Sequence, residues 1–266
     1  MIVTLLTDYG RDDDFVGVCH GVIRRIAPDT QIVDITHGIR RYAVRQGALV
    51  LRNTVPYMPV GVHVAIVDPQ VGTERRGLAL RCGDGRILVG PDNGLLSLAW
   101  QVCGGIEAAM DVTRSPHRLE PVSATFHGRD VFAPVAAQLA TGAELVDAGD
   151  AVEPESLVTV ELPQARLEDD TLAAHALVID RFGNAGLNVG HEELAGAGLK
   201  LGEQIEIEAG GERYLAKYAL TFADVKPGEL IVYEDAYRSL AVAINRGDAA
   251  ATLGLVPDAE VRLRPR

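Results

Sequence analysis

Residues 63–76 read HVAIVDPQVGTERR: a run of apolar strand-formers delivers one carboxylate, Asp68, into a loop that closes on paired arginines, Arg75 and Arg76. Further along stand GPDNG at residues 90–94 and FHGRD at residues 126–130, both dense in side chains that bind or exchange protons. An acid, a permanent cation and a group titrating near neutrality are together enough to position and deprotonate a water. Asp68, Arg75 and His127 supply one of each. Singly they have duller uses: an Asp-Pro step can end a strand, adjacent arginines can be a solvated pair, and a histidine can be a satisfied core imidazole.

Other candidates flank these. In TDYGRDDD, residues 7–14, Asp8 falls at the carboxyl end of the first strand, where open α/β sheets bind ligands. A carboxylate there can accept both hydroxyls of a ribose or hold a divalent metal, and the segment alone does not separate the two. Asp12, Asp13 and Asp14 read instead as helix capping and a solvated acidic turn. His37 in DITHGI follows a strand and reads as structural. Tyr42 can stack on a flat ring, although packing is the commoner use. In DRFGN, residues 180–184, a strand again ends in an acid, Asp180, and Asn184 offers the donor and acceptor that read an adenine edge, with a simple turn as the alternative. No Walker loop, dinucleotide glycine fingerprint, GxSxG elbow or HExxH helix is present, which disfavours the standard nucleotide and hydrolase classes.

The elements that must position these groups alternate. Short Val/Ile/Leu-rich strands are expected at residues 2–6, 32–36, 62–67, 77–82 and 86–90, several apolar on both faces as in a covered parallel sheet. Helices are expected from about Asp13 to Ile26, over Val44–Asn53, in GLLSLAWQV after Asn93 and in VFAPVAAQLA after Asp130. This is an α/β pattern. Near residue 150 the texture turns acidic and proline-bearing, without helical period. That places a linker at 156–169 between an N-terminal α/β domain, 1–155, with a mostly parallel central sheet, and a smaller all-β domain, 170–266. In the latter QIEIEAGGERYLAKY alternates across a Gly-Gly turn as a hairpin should, so a small barrel or sandwich is expected.

Bulk properties agree. At 266 residues two domains are the natural division, and 47% hydrophobic with 23% charged residues is ordinary for a soluble globular protein. No apolar run approaches a membrane span, and MIVTLLTDYG lacks the features of a signal peptide, so a cytoplasmic location is expected. Cys19, Cys82 and Cys103 fit neither a disulfide framework nor a metal knuckle and read as buried thiols. A formal charge of −12 argues against a nucleic-acid partner and suits a small, cationic ligand.

LLTDYGRDDDFVG, VDITHGI, HVAIVDPQVGTERR, VGPDNGLL, TFHGRDVFAPVAAQLA, IDRFGN and AINRGDAA occur in that order. As a set they resemble the S-adenosylmethionine hydroxide adenosyltransferases, hydrolases that form adenosine and are relatives of the fluorinase and chlorinase. The resemblance spans nearly the whole chain. It implies an N-terminal α/β domain followed by a barrel-like β domain, assembled as a homotrimer with substrate between one subunit's N-terminal domain and its neighbour's C-terminal domain. It implies that Asp68, Arg75 and His127 handle water, that Asp8 binds the ribose diol, that Tyr42 flanks the nucleoside, that Asn184 faces adenine and that Asp180 holds the methionine ammonium, with Phe182 of the same motif also lining the substrate. It implies neither cofactor nor metal: S-adenosylmethionine is the substrate and its hydrolysis metal-independent. Halide-using relatives carry tyrosine at the positions of Asp68 and His127, so hydrolysis is favoured over two alternatives, halide transfer and binding without turnover. Gln70, Ala43, Ala236 and Arg238 depart from the family pattern. If position 70 needs a positive φ, glutamine strains it.

Overall fold

Val62, Val64 and Ile66 of the strand that leads to Asp68 are buried toward one face of a sheet, and Ala65 and Val67 toward the other. Alternation with both sides apolar demands a cover on each face. The computed structural model describes residues 1–266, the side chains at 192 and 195 excepted, and divides them into two compact units, Met1–Val160 and Glu161–Arg266.

The first unit carries β1 (Ile2–Thr7), β2 (Gln31–Thr36), β3 (Val62–Ile66), β4 (Gly77–Cys82), β5 (Ile87–Pro91), β6 (Ile106–Asp111) and β7 (Asp150–Ala151), in the order β2-β1-β3-β5-β4-β6-β7. The block β2-β1-β3-β5 is parallel. The strands beyond it pair antiparallel, so the sheet as a whole is mixed. Helices α1 (Phe15–Ile26) and α4 (Ala133–Ala140) pack on one face, α2 (Val44–Thr54) and α3 (Ser97–Val102) on the other. Helix α1 opens at Phe15, and Asp14 at its N-cap makes no side-chain cap bond. The aspartates before it are therefore a solvated turn and not a cap.

Helix α4 is entered through a single wide turn of π-helix, Gly128–Phe132. Pro134, at the start of α4, has no N–H to give to the carbonyl four residues back. That carbonyl, Asp130 O, accepts the Leu119 amide instead, at 2.8 Å. The three cysteines are free and buried, and among the described residues no helix is long and apolar enough to cross a membrane.

The second unit is a closed barrel. Strands β9 (Thr171–Ile179), β10 (Ala185–Gly190), β11 (Gln204–Ala209), β12 (Glu212–Tyr218), β13 (Leu230–Glu234), β14 (Ser239–Ile244) and β15 (Glu260–Pro265) run β10-β14-β13-β12-β11-β15-β9, and β9 pairs back to β10. A short β8 (Arg166–Glu168) extends β9 outside the ring. Closure removes the free edges that an open sheet exposes. The β11–β12 hairpin turns on Gly210 and Gly211, at φ 59° and 83°, as a turn with two left-handed central residues requires.

Candidate active site

β1 and β3 are parallel neighbours with Thr7 opposite Ile66, so the residues that follow them, Asp8 and Asp68, emerge side by side at the carboxyl edge of the sheet. The Asp8 amide still donates to Ile66 O at 3.3 Å. Asp68 continues the row Val62–Val64–Ile66, which faces α1 and α4, and His127 arrives on that face from the turn that leads into α4.

The loop after Asp68 folds back on itself. Thr73 donates from its amide (3.2 Å) and its hydroxyl (2.8 Å) to Gln70 O, and Gly72 adopts φ 79°. Gln70 is not among the residues at positive φ, so glutamine is unstrained there; the left-handed residue is Gly72. This turn returns Arg75 to Asp68. Arg75 Nε donates to both carboxylate oxygens at 3.0 Å, and its Nη2 donates to Oδ2 as well. The same Nη2 donates to His127 Nδ1 at 2.9 Å. The Phe132 ring lies 5.3 Å under the guanidinium. With side-chain exposures of 4% for Arg75 and 6% for Asp68, this is a buried ion pair.

That geometry fixes the imidazole. A guanidinium only donates, so His127 Nδ1 must accept, and the neutral ring carries its proton on Nε2. Burial, then the Arg75 charge, hold His127 below its ordinary value of 6.5. Protonation would cost the Nδ1 acceptor and set two cations together. The neutral form keeps this contact, so an activity that uses the trio is expected to be lost as pH falls through a midpoint below 6.5. In Arg75→Gln the depressing charge is gone while Asp68 remains, so the ring's midpoint moves up; a histidine NMR titration of both proteins reads the shift.

Asp8, Tyr42, Asp68 and His127 line one cavity of about 290 Å³, together with Tyr9, Phe15 and Phe126. Burial pushes the Asp8 carboxyl above its usual value and nearby Asp68 adds to this, against a 3.0 Å hydrogen bond from the Tyr42 amide to Asp8 Oδ2. Tyr42 makes that bond from a left-handed backbone, φ 65°, and the residue is 70% exposed. It does not pack. A bulky residue held there is costly, and such outliers gather at ligand sites.

Tyr9, Phe15 and Phe126 were not singled out by the sequence. They form a mutual aromatic wall with centroids 5.1–5.8 Å apart, two of the three contacts edge-to-face. Their signal was adjacency: Tyr9 follows Asp8, and Phe126 precedes His127. Burial keeps the Tyr9 phenol protonated far above neutrality, so it lines the cavity as a neutral hydroxyl.

The remaining motif residues serve the frame. Arg76 is no solvated partner of Arg75: it binds Asp92 through Nε at 2.8 Å and the Ser156 carbonyl through Nη2 at 2.7 Å. Asp92 also accepts the Val158 amide, and Asn93 Nδ2 donates to Val67 O at 2.8 Å, just before Asp68. GPDNG thus fastens loops and does not face the cavity. Asp130 is likewise structural: burial opposes its charge, but hydrogen bonds from Arg129 and the Ser123 amide outweigh this and hold it below the usual carboxylate range.

In the second unit Asp180 Oδ1 accepts the amides of Phe182 (2.8 Å) and Asn184 (3.0 Å), and Oδ2 accepts Asn184 Nδ2 at 2.8 Å. The turn reading of DRFGN is therefore realised. Asn184 keeps its Oδ1 and one N–H for other partners, and Phe182 stands 67% exposed. Arg238, at one of the departures, has φ 62°, a conformation that glycine adopts without strain.

A family model described as the SAM hydroxide adenosyltransferase N-terminal domain matches residues 3–149, and one for the C-terminal domain of that family matches residues 174–262. A protein of Salinispora tropica named (R)-S-adenosyl-L-methionine hydrolase is 48% identical over 98% of this chain and 97% of its own length. A protein of the same name from Thermus thermophilus is 37% identical over 98% of both. A fluorinase of Actinopolyspora mzabensis is 28% identical over 98% of this chain and 96% of its own. The crystal structure of an uncharacterized conserved protein from Thermotoga maritima superposes with a TM-score of 0.92 at 31% identity, covering 99% of this chain and all of that one.

Proposed function

We propose that this chain, which belongs to the SAM hydroxide adenosyltransferase family, hydrolyses S-adenosylmethionine to adenosine and methionine by in-line attack of water at the ribose C5′. The observation that carries the reading is the Asp68–Arg75–His127 trio beside the cavity. The near relatives named as hydrolases support it, with the fluorinases more distant. The substrate is a sulfonium, so methionine leaves as a neutral thioether and the difficulty lies in the nucleophile. One C–O bond forms, the C5′–S bond breaks, and the water gives up a proton.

Each member of the trio has one available task. Arg75 does not line this cavity; its cation, bonded to Asp68 and to His127 Nδ1, favours hydroxide-like charge on an oxygen held by those two residues. His127 orients that oxygen as a donor from Nε2, since its Nδ1 is taken. Asp68, the trio's one anion, accepts the proton: a carboxylate offers about four lone-pair sites, and Arg75 does not exhaust them. No metal takes part in these steps. Asp8 would hold the ribose diol and Tyr42 flank the base. Asp180, Phe182 and Asn184 would meet the methionine ammonium and adenine, with the substrate seated between subunits of a cytoplasmic homotrimer.

The test is to incubate EDTA-treated protein with S-adenosylmethionine in halide-free oxygen-18 water and identify the products by mass spectrometry. Adenosine bearing the heavy oxygen, with methionine, is expected. Unchanged substrate despite binding demonstrated by calorimetry overturns the reading in favour of binding without turnover, and a 5′-halo nucleoside formed when halide is restored favours halide transfer.

A further inference from the structure

At the outer edge of the parallel block, three ligand-type side chains from three segments converge away from the trio. His20 on α1, Asp34 on β2 and His37 in the turn after β2 each present one atom, and these atoms lie within 4.8 Å of one another. His20 Nε2 is 2.8 Å, and His37 Nε2 3.1 Å, from the same Asp34 Oδ1. Among the described residues this is the one such grouping of histidine, cysteine and acidic side chains.

His37 distinguishes it from an ordinary polar cluster. The residue is 2% exposed, and its buried Nε2 has one polar neighbour, Asp34 Oδ1 at 3.1 Å, with which it forms an ion-pair contact but no well-formed hydrogen bond. A buried ring nitrogen left in that way calls for an explanation. Its Nδ1 lies 2.9 Å from Thr7 Oγ1, which already accepts the Tyr9 amide at 3.1 Å. A hydroxyl oxygen has two acceptor sites, so it can also accept from His37 Nδ1–H. That tautomer leaves the Nε2 lone pair pointing into the cluster. A histidine anchored by one nitrogen on an outer oxygen, with the other aimed at a carboxylate and a second imidazole, is arranged as metal-binding histidines are.

We propose that His20 Nε2, Asp34 and His37 Nε2 bind one divalent first-row transition ion. Two imidazoles and a carboxylate, with a position left for water, are a ligand set that zinc and iron(II) both use, and zinc is the redox-silent probe of it. Asp34 and His37 line a cavity of about 520 Å³ with Arg11, Asp13 and Asp14, which leaves room for a water beside the ion. Ligand atoms around tetrahedral zinc stand about 3.4 Å apart. A small turn of the His20 ring, 34% exposed, opens the present 2.8 Å to that spacing. The ion's task is mechanical. The Gly10 amide donates to His37 O at 2.9 Å, and Tyr9 is tied through Thr7 to the His37 ring, so the ion fastens α1 and β2 to the loop that carries Asp8.

The test uses tag-free, full-length protein stripped with chelator and then freed of it. It is titrated with zinc chloride by calorimetry and with cobalt(II) for its visible spectrum, and its Tm is recorded with and without zinc. One ion per chain and a zinc-dependent rise in Tm are expected. His20→Gln and Asp34→Asn should each lose more affinity than the roughly 10–100-fold that removal of an outer partner costs, and should lose the rise in Tm. His20→Gln, part-exposed, should keep its metal-free Tm and so shows that the fold survives. No uptake, or equal uptake in both variants, overturns the site and leaves a hydrogen-bonded triad. None of the three readouts involves the hydrolytic reaction, so failure here is distinct from failure of the proposed function.

Discussion

Asp68→Asn lowers kcat on S-adenosylmethionine by a factor of about 10²–10⁴, the range for removal of an acid–base group, while adenosine binding stays close to that of the unaltered protein. The change is nearly isosteric and deletes only the negative charge. The water then has no anionic acceptor, and an amide N–H2 faces the Arg75 donors that now sit on the carboxylate. Arg75, 4% exposed, becomes a buried cation without a counter-ion. Breaking a buried pair from one side costs about 3–5 kcal/mol, so Tm falls too, and kcat must be measured at a temperature where circular dichroism shows the variant folded. Normal kcat in the folded variant would remove Asp68 from the chemistry. A raised KM with normal kcat would move it to substrate binding.

Gly72→Ala strikes the same group of residues without touching any of them. Gly72 sits at φ 79°, and a Cβ there would run into the backbone carbonyl of Ala124. Left-handed backbone alone costs a non-glycine residue about 1–3 kcal/mol. Because the obstacle is main chain, it cannot rotate aside. One of two segments must move: residues 68–76, which bear Asp68 and Arg75, or residues 123–127, which bear His127. Either motion opens the 2.9 Å contact between Arg75 and His127. A displacement of about 1 Å is enough to cost about 10² in rate. The expected outcome is a lower Tm with kcat down by about that factor and KM little changed; an unaltered kcat would show that the close approach of these loops is not what aligns the trio.

The parts of the fold that sequence made legible are those whose signal is local. β3 reads from residues 62–66 because all but His63 are apolar and a carboxylate follows at Asp68. The Gly-Gly hairpin of the barrel reads for the same reason. β6 did not: IEAAMD has one β-branched residue and two small alanines, and it is a strand because β4 supplies a partner. The π-helical turn before α4 depends on Leu119 reaching Asp130 O, a contact that Pro134 permits but does not announce.

The candidate site divides in the same way. Asp8, Asp68, Arg75 and His127 stand out by type and motif, and the structure groups them. Asp92 and Arg76 stand out equally, yet their partners, Ser156 and Val158, lie more than sixty residues away in sequence and turn them into fasteners. Adjacency to Asp8 and His127 marks Tyr9 and Phe126, but that they form one wall with Phe15 is legible only once the folded chain brings the three rings together. Tyr42 was read by frequency as a packing residue, and its left-handed backbone and exposure were not legible from its type.

β2 has a single strand neighbour in this chain, β1, and half-buried residues along most of its length. Strands so placed open locally at a small fraction of the free energy of global unfolding. His37, at its end, accepts the amide of Gly10, two residues beyond Asp8. A brief peeling of this one strand therefore slackens the loop that carries Asp8, while Asp68, Arg75 and His127 stay tied to one another in the loop between β3 and β4 and the turn before α4. The molecule thus has two levels of rigidity, a firmer one around the bonded Asp68, Arg75 and His127 and a more yielding one on the side that Asp8 lines.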